Sequence, residues 1–281
     1  MDHSPLTLPA VAVLGAGAMG GAIVQGLLAP TVEVTGGIRV TNRTPAKADA
    51  LTRPGVVSLA LADNPRANLT AVEGARIVIV AVKPAMVVDL LREIGPALAN
   101  DALVVSVAAG ITTAAMEAVL PPTIAVLRAM PNTPAHVGLG VTGIAPGSRA
   151  TDADLALAET LFSTVGETIT LEEDRIDALS AISGSGPAYV FLFMEKFTEA
   201  AMGLGFTEAA ARTMVESTFR GASELLAASE SRPAELRRQV TSPKGTTEQA
   251  IAVFESADLT DLFERAAAAA IARAQQLASG G

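Results

Sequence analysis

The residues with the plainest chemical meaning stand in one run near the start of the chain, Gly15-Ala16-Gly17-Ala18-Met19-Gly20. The apolar stretch Val11-Ala12-Val13-Leu14 precedes it and an Ala-rich segment follows. A buried strand that passes through G-x-G-x-x-G into a helix is suited to holding a pyrophosphate. Gly15 permits the tight turn, Gly17 lets phosphate approach the backbone, and Gly20 lets helix and strand pack closely. The helix start adds unpaired N–H groups and the positive end of its dipole. A plain strand–helix turn is the bland alternative, but strand, helix and placement together point to a dinucleotide.

Which dinucleotide is read at the end of the next strand-like run, Thr41-Asn42-Arg43-Thr44. An NAD site usually places Asp or Glu there to accept the ribose hydroxyls, and this run has neither. Arg43 suits stacking on adenine and pairing with a 2′-phosphate, while Asn42 and Thr44 add neutral donors. NADP is therefore expected, with NADPH preferred and NADH possible. The alternative is a solvated Arg43 on a protein that accepts both.

Four further motifs carry candidate residues. Ala81-Val82-Lys83-Pro84 ends a strand-like run, the place where ligands sit in open α/β sheets, and Lys83 either faces the cofactor or is merely exposed. The run Arg128-Ala129-Met130-Pro131-Asn132-Thr133-Pro134 is too rich in turn residues to be core, and Asn132 is a candidate to contact the nicotinamide amide; His136 beyond it is read as structural. Ser183-Gly184-Ser185-Gly186-Pro187-Ala188-Tyr189 is either a ligand contact or a tight lead-in to a long helix. In Thr241-Ser242-Pro243-Lys244-Gly245-Thr246-Thr247, free amides at Gly245, Thr246 and Thr247 would converge on a carboxylate, or the turn is simply a helix cap.

These motifs need a frame to hold them. Short β-branched runs at 10–15, 38–42, 77–82, 103–107 and 124–128 alternate with helix-like segments starting near Ala18, Pro45, Pro84 and Thr112. That alternation predicts βαβ units and a mostly parallel sheet with helices on both faces. After Glu172 only helical periodicity remains, over 187–204, 208–229, 233–240, 247–255 and 260–278. The chain is therefore expected to divide into a dinucleotide-binding domain at 1–172 and a helical domain at 173–281.

Composition narrows the chemistry. Of 281 residues half are apolar and 17% are charged, so the chain can bury a core. A net charge of −9 disfavours nucleic acid as a partner. There is no cysteine, and only His3 and His136 among histidines, which excludes thiolate chemistry and a histidine-rich metal centre. The uncharged stretch 4–32 has no basic flank and is broken by Gly and Pro, so it reads as neither signal peptide nor membrane span, and a soluble cytoplasmic protein is expected.

Taken in order, the segments resemble the pyrroline-5-carboxylate reductase family. The residues that carry this are Gly15 to Gly20, Asn42-Arg43-Thr44, Asp63-Asn64, Ala81 to Pro84, Ser106-Val107-Ala108-Ala109-Gly110, Arg128 to Pro134, Ser183 to Tyr189 and Ser242 to Thr247. The resemblance covers nearly the whole chain. It implies an α/β Rossmann domain followed by an all-α C-terminal dimerisation domain that interlaces with a second subunit, and a ring of such dimers. It also implies reduction of 1-pyrroline-5-carboxylate to L-proline, the last step of proline biosynthesis. By the same resemblance Asn64 lies on the cofactor side and Thr247 hydrogen-bonds the substrate ring nitrogen, with Ser242, Lys244, Gly245 and Thr246 around its carboxylate. Lys244 departs from the family, which usually has glycine there. Either it bears strain at a positive φ or it adds charge beside the carboxylate.

Two other readings compete. A β-hydroxyacid dehydrogenase shares the first glycine motif, but resembles its relatives in a lysine on the helix leading into the second domain. Here 183–194 has none and Lys196 comes late. A non-catalytic NADP sensor would not need a carboxylate-binding turn in the far domain.

Overall fold

The structure, a computed structural model, describes residues 5–278; His3 lies outside them. The chain forms two compact units. One runs to Gly184 and takes in the stretch from Ile271 onward, and the other is Ser185–Ala270.

The first unit opens with β1 (Leu6–Leu8) and β2 (Val11–Leu14), then α1 (Ala18–Leu27), β3 (Val32–Val34), β4 (Ile38–Asn42) and α2 (Pro45–Asp49). It continues through β5 (Val56–Ala60), α3 (Ala67–Val72), β6 (Ile77–Val80), α4 (Pro84–Ile94), β7 (Leu103–Ser106), α5 (Thr113–Glu117) and β8 (Ala125–Met130). The last elements are β9 (Gly140–Pro146), α6 (Asp152–Phe162), β10 (Gly166–Thr170) and α7 (Ile176–Leu179).

Eight strands form one sheet in the order β10-β9-β8-β7-β6-β2-β4-β5, parallel throughout except between β8 and β9. The strand order reverses between β2 and β6, the switch point where such sheets bind ligands. Successive residues of the central strands feed two cores. Val11, Val13, Ile77, Ile79, Leu103 and Val105 join one cluster. Ala12, Leu14, Val78, Val80 and Val104 join the other. Both faces are covered, which is why these strands read as continuous apolar runs instead of alternating ones.

Several elements escaped the sequence pattern. β1 and β3 pair as a separate small parallel sheet. β5, β9 and β10 carry Gly, Ser or Pro, which mask period-2 patterning. α6 had a readable start: Thr151 and Asp154 form a capping box.

The pattern turns helical at Glu172, whereas the compact units divide after Gly184. The residues between are helical yet belong to the sheet: Ile176 is fully buried. A Cβ on Gly143 of β9 would lie 2.7 Å from Leu179 Cδ1, so only glycine lets α7 lie this close.

The second unit holds α8 (Gly186–Gly203), α9 (Glu208–Ala227), α10 (Pro233–Gln239), α11 (Thr246–Ser256) and most of α12 (Leu259–Ala278). Within it, Phe193 tilts against Phe263 with ring centroids 5.9 Å apart. Few of its side chains are buried, and Phe191, Leu192, Phe197 and Phe254 are exposed. A groove of about 620 Å³ runs between α8 and α9, lined by Phe191, Met194, Met202 and Arg212 among others. The helical stretch Glu173–Gly203, which the sequence reading passed over, is long and apolar enough to cross a membrane by length and composition.

Candidate active site

At the end of β2 the three glycines occupy three different environments. Gly15 has φ +88°, and a Cβ there would stand 2.9 Å from Val82 Cγ1 and 3.0 Å from the Ala81 carbonyl oxygen. A Cβ on Gly20 would meet the Gly15 carbonyl oxygen at 2.8 Å and Ala81 Cβ at 3.2 Å. Around Gly17, which caps α1, nothing lies within 4 Å. So two positions require glycine for packing, and the third opens onto free space at a ten-residue helix start, where a pyrophosphate fits.

The structure brings the other nucleotide motifs to the same edge. The amides of Gly15 and Ala16 both donate to the Thr41 carbonyl at 3.1 Å, and Ala81 N–H donates to Leu14 at 2.9 Å. The ends of β2, β4 and β6 are thereby stitched together. Asn42 is buried and donates weakly to the Lys47 carbonyl at 3.4 Å. Arg43 and Thr44 are exposed, and the Arg43 guanidinium has no partner among the described residues. Leu61 and Ala62 donate to the Asn42 and Arg43 carbonyls at 2.8 and 3.2 Å, which ties the 60–64 loop alongside. Asn64 there accepts from Arg66 N–H at 3.0 Å. Lys83 is exposed and caps α4, with Pro84 in its first turn.

The expectation that the run 128–134 is too rich in turn residues to be core is corrected. Arg128, where the expected strand 124–128 ends, lies within β8 and is 6% exposed. Asn132 is also buried, and both ends of its amide hold the protein: Nδ2 donates to the Ser183 carbonyl at 2.9 Å, and Oδ1 accepts from Val141 N–H at 2.8 Å. Turn residues can be buried when their polar groups are satisfied, and here they are. His136 is exposed in a short 3-10 turn. Ahead of α8 the chain makes a π turn over Ser180–Gly184, and Ser183 Oγ donates back to the Leu179 carbonyl at 3.0 Å.

In the helical unit, the turn before α11 differs from expectation in one respect. The Gly245 amide is not free, because it donates to the Ser242 carbonyl at 3.0 Å. Lys244 N–H donates to a Glu248 carboxylate oxygen at 2.8 Å. The amides of Thr246 and Thr247 have no partner among the described residues, nor does the Thr247 hydroxyl. A Cβ on Gly245 would fall 2.6 Å from Ser242 Oγ, so this glycine is needed to close the turn. Lys244 has φ +59°, which settles the first of its two alternatives: the position requires a left-handed residue.

Lys196 is exposed on α8 with Glu195 and Glu199 at 3.1 and 2.8 Å. Hydrogen bonds that its ammonium donates to Glu199 and Glu195 raise its pKa. No group of three or more His, Cys, Asp and Glu residues placed to hold a metal occurs among the described residues.

A glycine turn at the switch point of a doubly wound sheet, followed by a separate helical unit, is the architecture of a two-unit Rossmann protein. The family described as NADP oxidoreductase, coenzyme F420-dependent, matches residues 10–110, and that described as pyrroline-5-carboxylate reductase dimerisation matches residues 173–277. A pyrroline-5-carboxylate reductase of Corynebacterium melassecola is 38% identical over 95% of this chain and 98% of its own. A solved pyrroline-5-carboxylate reductase of Coxiella burnetii is 37% identical over 95% of this chain and 97% of its own, with a TM-score of 0.86. A pyrroline carboxylate reductase of Plasmodium falciparum, solved with NADP bound, shares the fold at 23% identity and a TM-score of 0.76, covering 95% of this chain and 97% of its own. The chain belongs to the pyrroline-5-carboxylate reductase family.

Proposed function

We propose that the chain transfers a hydride from NADPH, with NADH accepted less well, to C5 of 1-pyrroline-5-carboxylate, giving L-proline in the last step of proline biosynthesis. Near full-length similarity to reductases of this name carries the substrate half of the reading. The cofactor half rests on an exposed Arg43, without a partner among the described residues, where an NAD site would place an acid.

The residues have the following parts. Gly15, Ala16, Gly17, Ala18, Met19 and Gly20 take the pyrophosphate at the start of α1, and Asn42, Arg43 and Thr44 take the 2′-phosphate end, with Asn64 beside them. Ala81, Val82, Lys83 and Pro84 line the same edge toward the nicotinamide, and Asn132 reaches it with the N–H that its protein contacts leave over. Held there, the reduced nicotinamide supplies hydride from C4. In the helical unit the amides of Thr246 and Thr247 take the substrate carboxylate, with Ser242, Lys244 and Gly245 shaping the turn around it. Thr247 Oγ1 hydrogen-bonds the ring nitrogen. The protonated imine is already a strong electrophile, so orienting two bound molecules supplies much of the rate without a histidine base. Replacing Thr247 with Ala is expected to lower kcat for the imine more than tenfold while NADPH affinity stays within twofold. A loss confined to NADPH binding would remove Thr247 from this role.

The exposed apolar side chains of α8 suit a homodimer, assembled further into a ring, and they account for the apolar length of this stretch without a membrane. The net charge of −9 fits a small-molecule enzyme in the cytoplasm with no nucleic-acid partner. The division into domains at 172/173 follows the change of pattern and the start of the dimerisation match.

A further inference from the structure

The segment between β10 and α8 is fastened to the sheet by an ion cluster that nothing above uses. Arg128, whose side chain is 7% exposed, directs Nη2 to Asp177 Oδ1 at 3.2 Å and Nη1 to Glu173 Oε1 at 3.6 Å. Glu173 in turn accepts from Thr113 N–H at 2.8 Å and from Thr113 Oγ1 at 2.7 Å. Four residues farther along β8 and its turn, Asn132 holds the Ser183 carbonyl at 2.9 Å. Ser183 sits inside the π turn Ser180–Gly184, a rare backbone form that concentrates at functional sites. A buried guanidinium needs its counter-charges, and a planar fork serving two carboxylates fixes geometry as well as charge.

We infer that Arg128 is a positioning residue for hydride transfer: by clamping Glu173 and Asp177 it locks the π turn against the carboxyl end of β8, the edge where the nicotinamide is expected. It touches neither cofactor nor substrate in this role and acts through the backbone of 180–186. The inference rests on the proposed reaction at that edge. Reactive geometry is steep in distance, so loosening the turn should lower the chemical step and spare nucleotide binding.

The test uses Arg128→Lys together with Asp177→Ala and Thr113→Val, whose side chains are less central should the buried lysine fail to fold. Each folded variant is expected to lose five- to fiftyfold in kcat with imine while the Kd for NADPH, from fluorescence titration, stays within twofold. In the cofactor-free protein, amide exchange over 180–186 should rise at least tenfold. Unchanged exchange, or kcat within twofold of wild type, would overturn the clamp, as would a rise in NADPH Kd that matches the kcat loss. Absence of imine-dependent NADPH oxidation in the wild type would instead refute the reaction itself.

Discussion

At Lys244 the backbone carries φ +59°, a conformation in which an L side chain meets its own carbonyl at a cost of about 1–2 kcal/mol. Glycine bears no such strain but loses more chain entropy on folding, about 0.5–1 kcal/mol. Lys244→Gly is therefore expected to stabilise by about 0.5–1 kcal/mol, seen as a rise of roughly 1–4 °C in Tm by calorimetry. A fall in Tm would mean the ammonium contributes more than the strain costs. Arg43 invites the second test at this scale. Charge-assisted bonds to a 2′-phosphate are worth about 1.5–3 kcal/mol, and exposure reduces this to about a tenfold preference for NADPH. Arg43→Ala should raise KM for NADPH several-fold, leave NADH nearly untouched and flatten the salt dependence. If both cofactors weaken equally, Arg43 only stacks on adenine. Single residues were legible in the sequence where chemistry and spacing are local, as with Gly15, Gly17 and Gly20. Arg128 was not, because its partners at 113, 173 and 177 are brought to it only by the folded sheet.

Among the elements, the central strands and the long helices could be read ahead, because both-face burial leaves unbroken apolar runs and α8 to α12 carry clear punctuation. Asp258 shows such a stop and start: its carboxylate accepts from Asp261 N–H at 3.2 Å just as α12 begins. Strands β9 and β10 could not, since glycines and a proline interrupt β9 and a glycine opens β10, which masks the alternating pattern. The cap of α6 sets a pH-dependent test. Burial raises the Asp154 pKa, but hydrogen bonds from Arg76 and Thr151 outweigh it and hold the carboxyl below its ordinary value. A carboxylate so depressed adds stability above its unfolded pKa and loses it as pH falls through the folded one. Asp154→Asn should cost about 1–2 kcal/mol at neutral pH. The Tm gap from wild type should then close as the pH drops below about 4. A gap independent of pH would assign the loss to packing instead.

The proposed cofactor edge and the proposed substrate turn belong to different units, and the helical unit leaves large apolar side chains uncovered. At least a dimer is expected in sedimentation, and a fully active monomer would refute that assembly. What the sequence could not convey at this scale is where 173–184 belongs, since helical periodicity says nothing about which unit a helix packs on. The central claim is the reaction. Purified protein should oxidise NADPH only when 1-pyrroline-5-carboxylate is added, forming one L-proline per NADPH consumed, with kcat/KM for NADH about tenfold lower. Absence of imine-dependent oxidation, or turnover of a β-hydroxy acid in its place, would contradict the account.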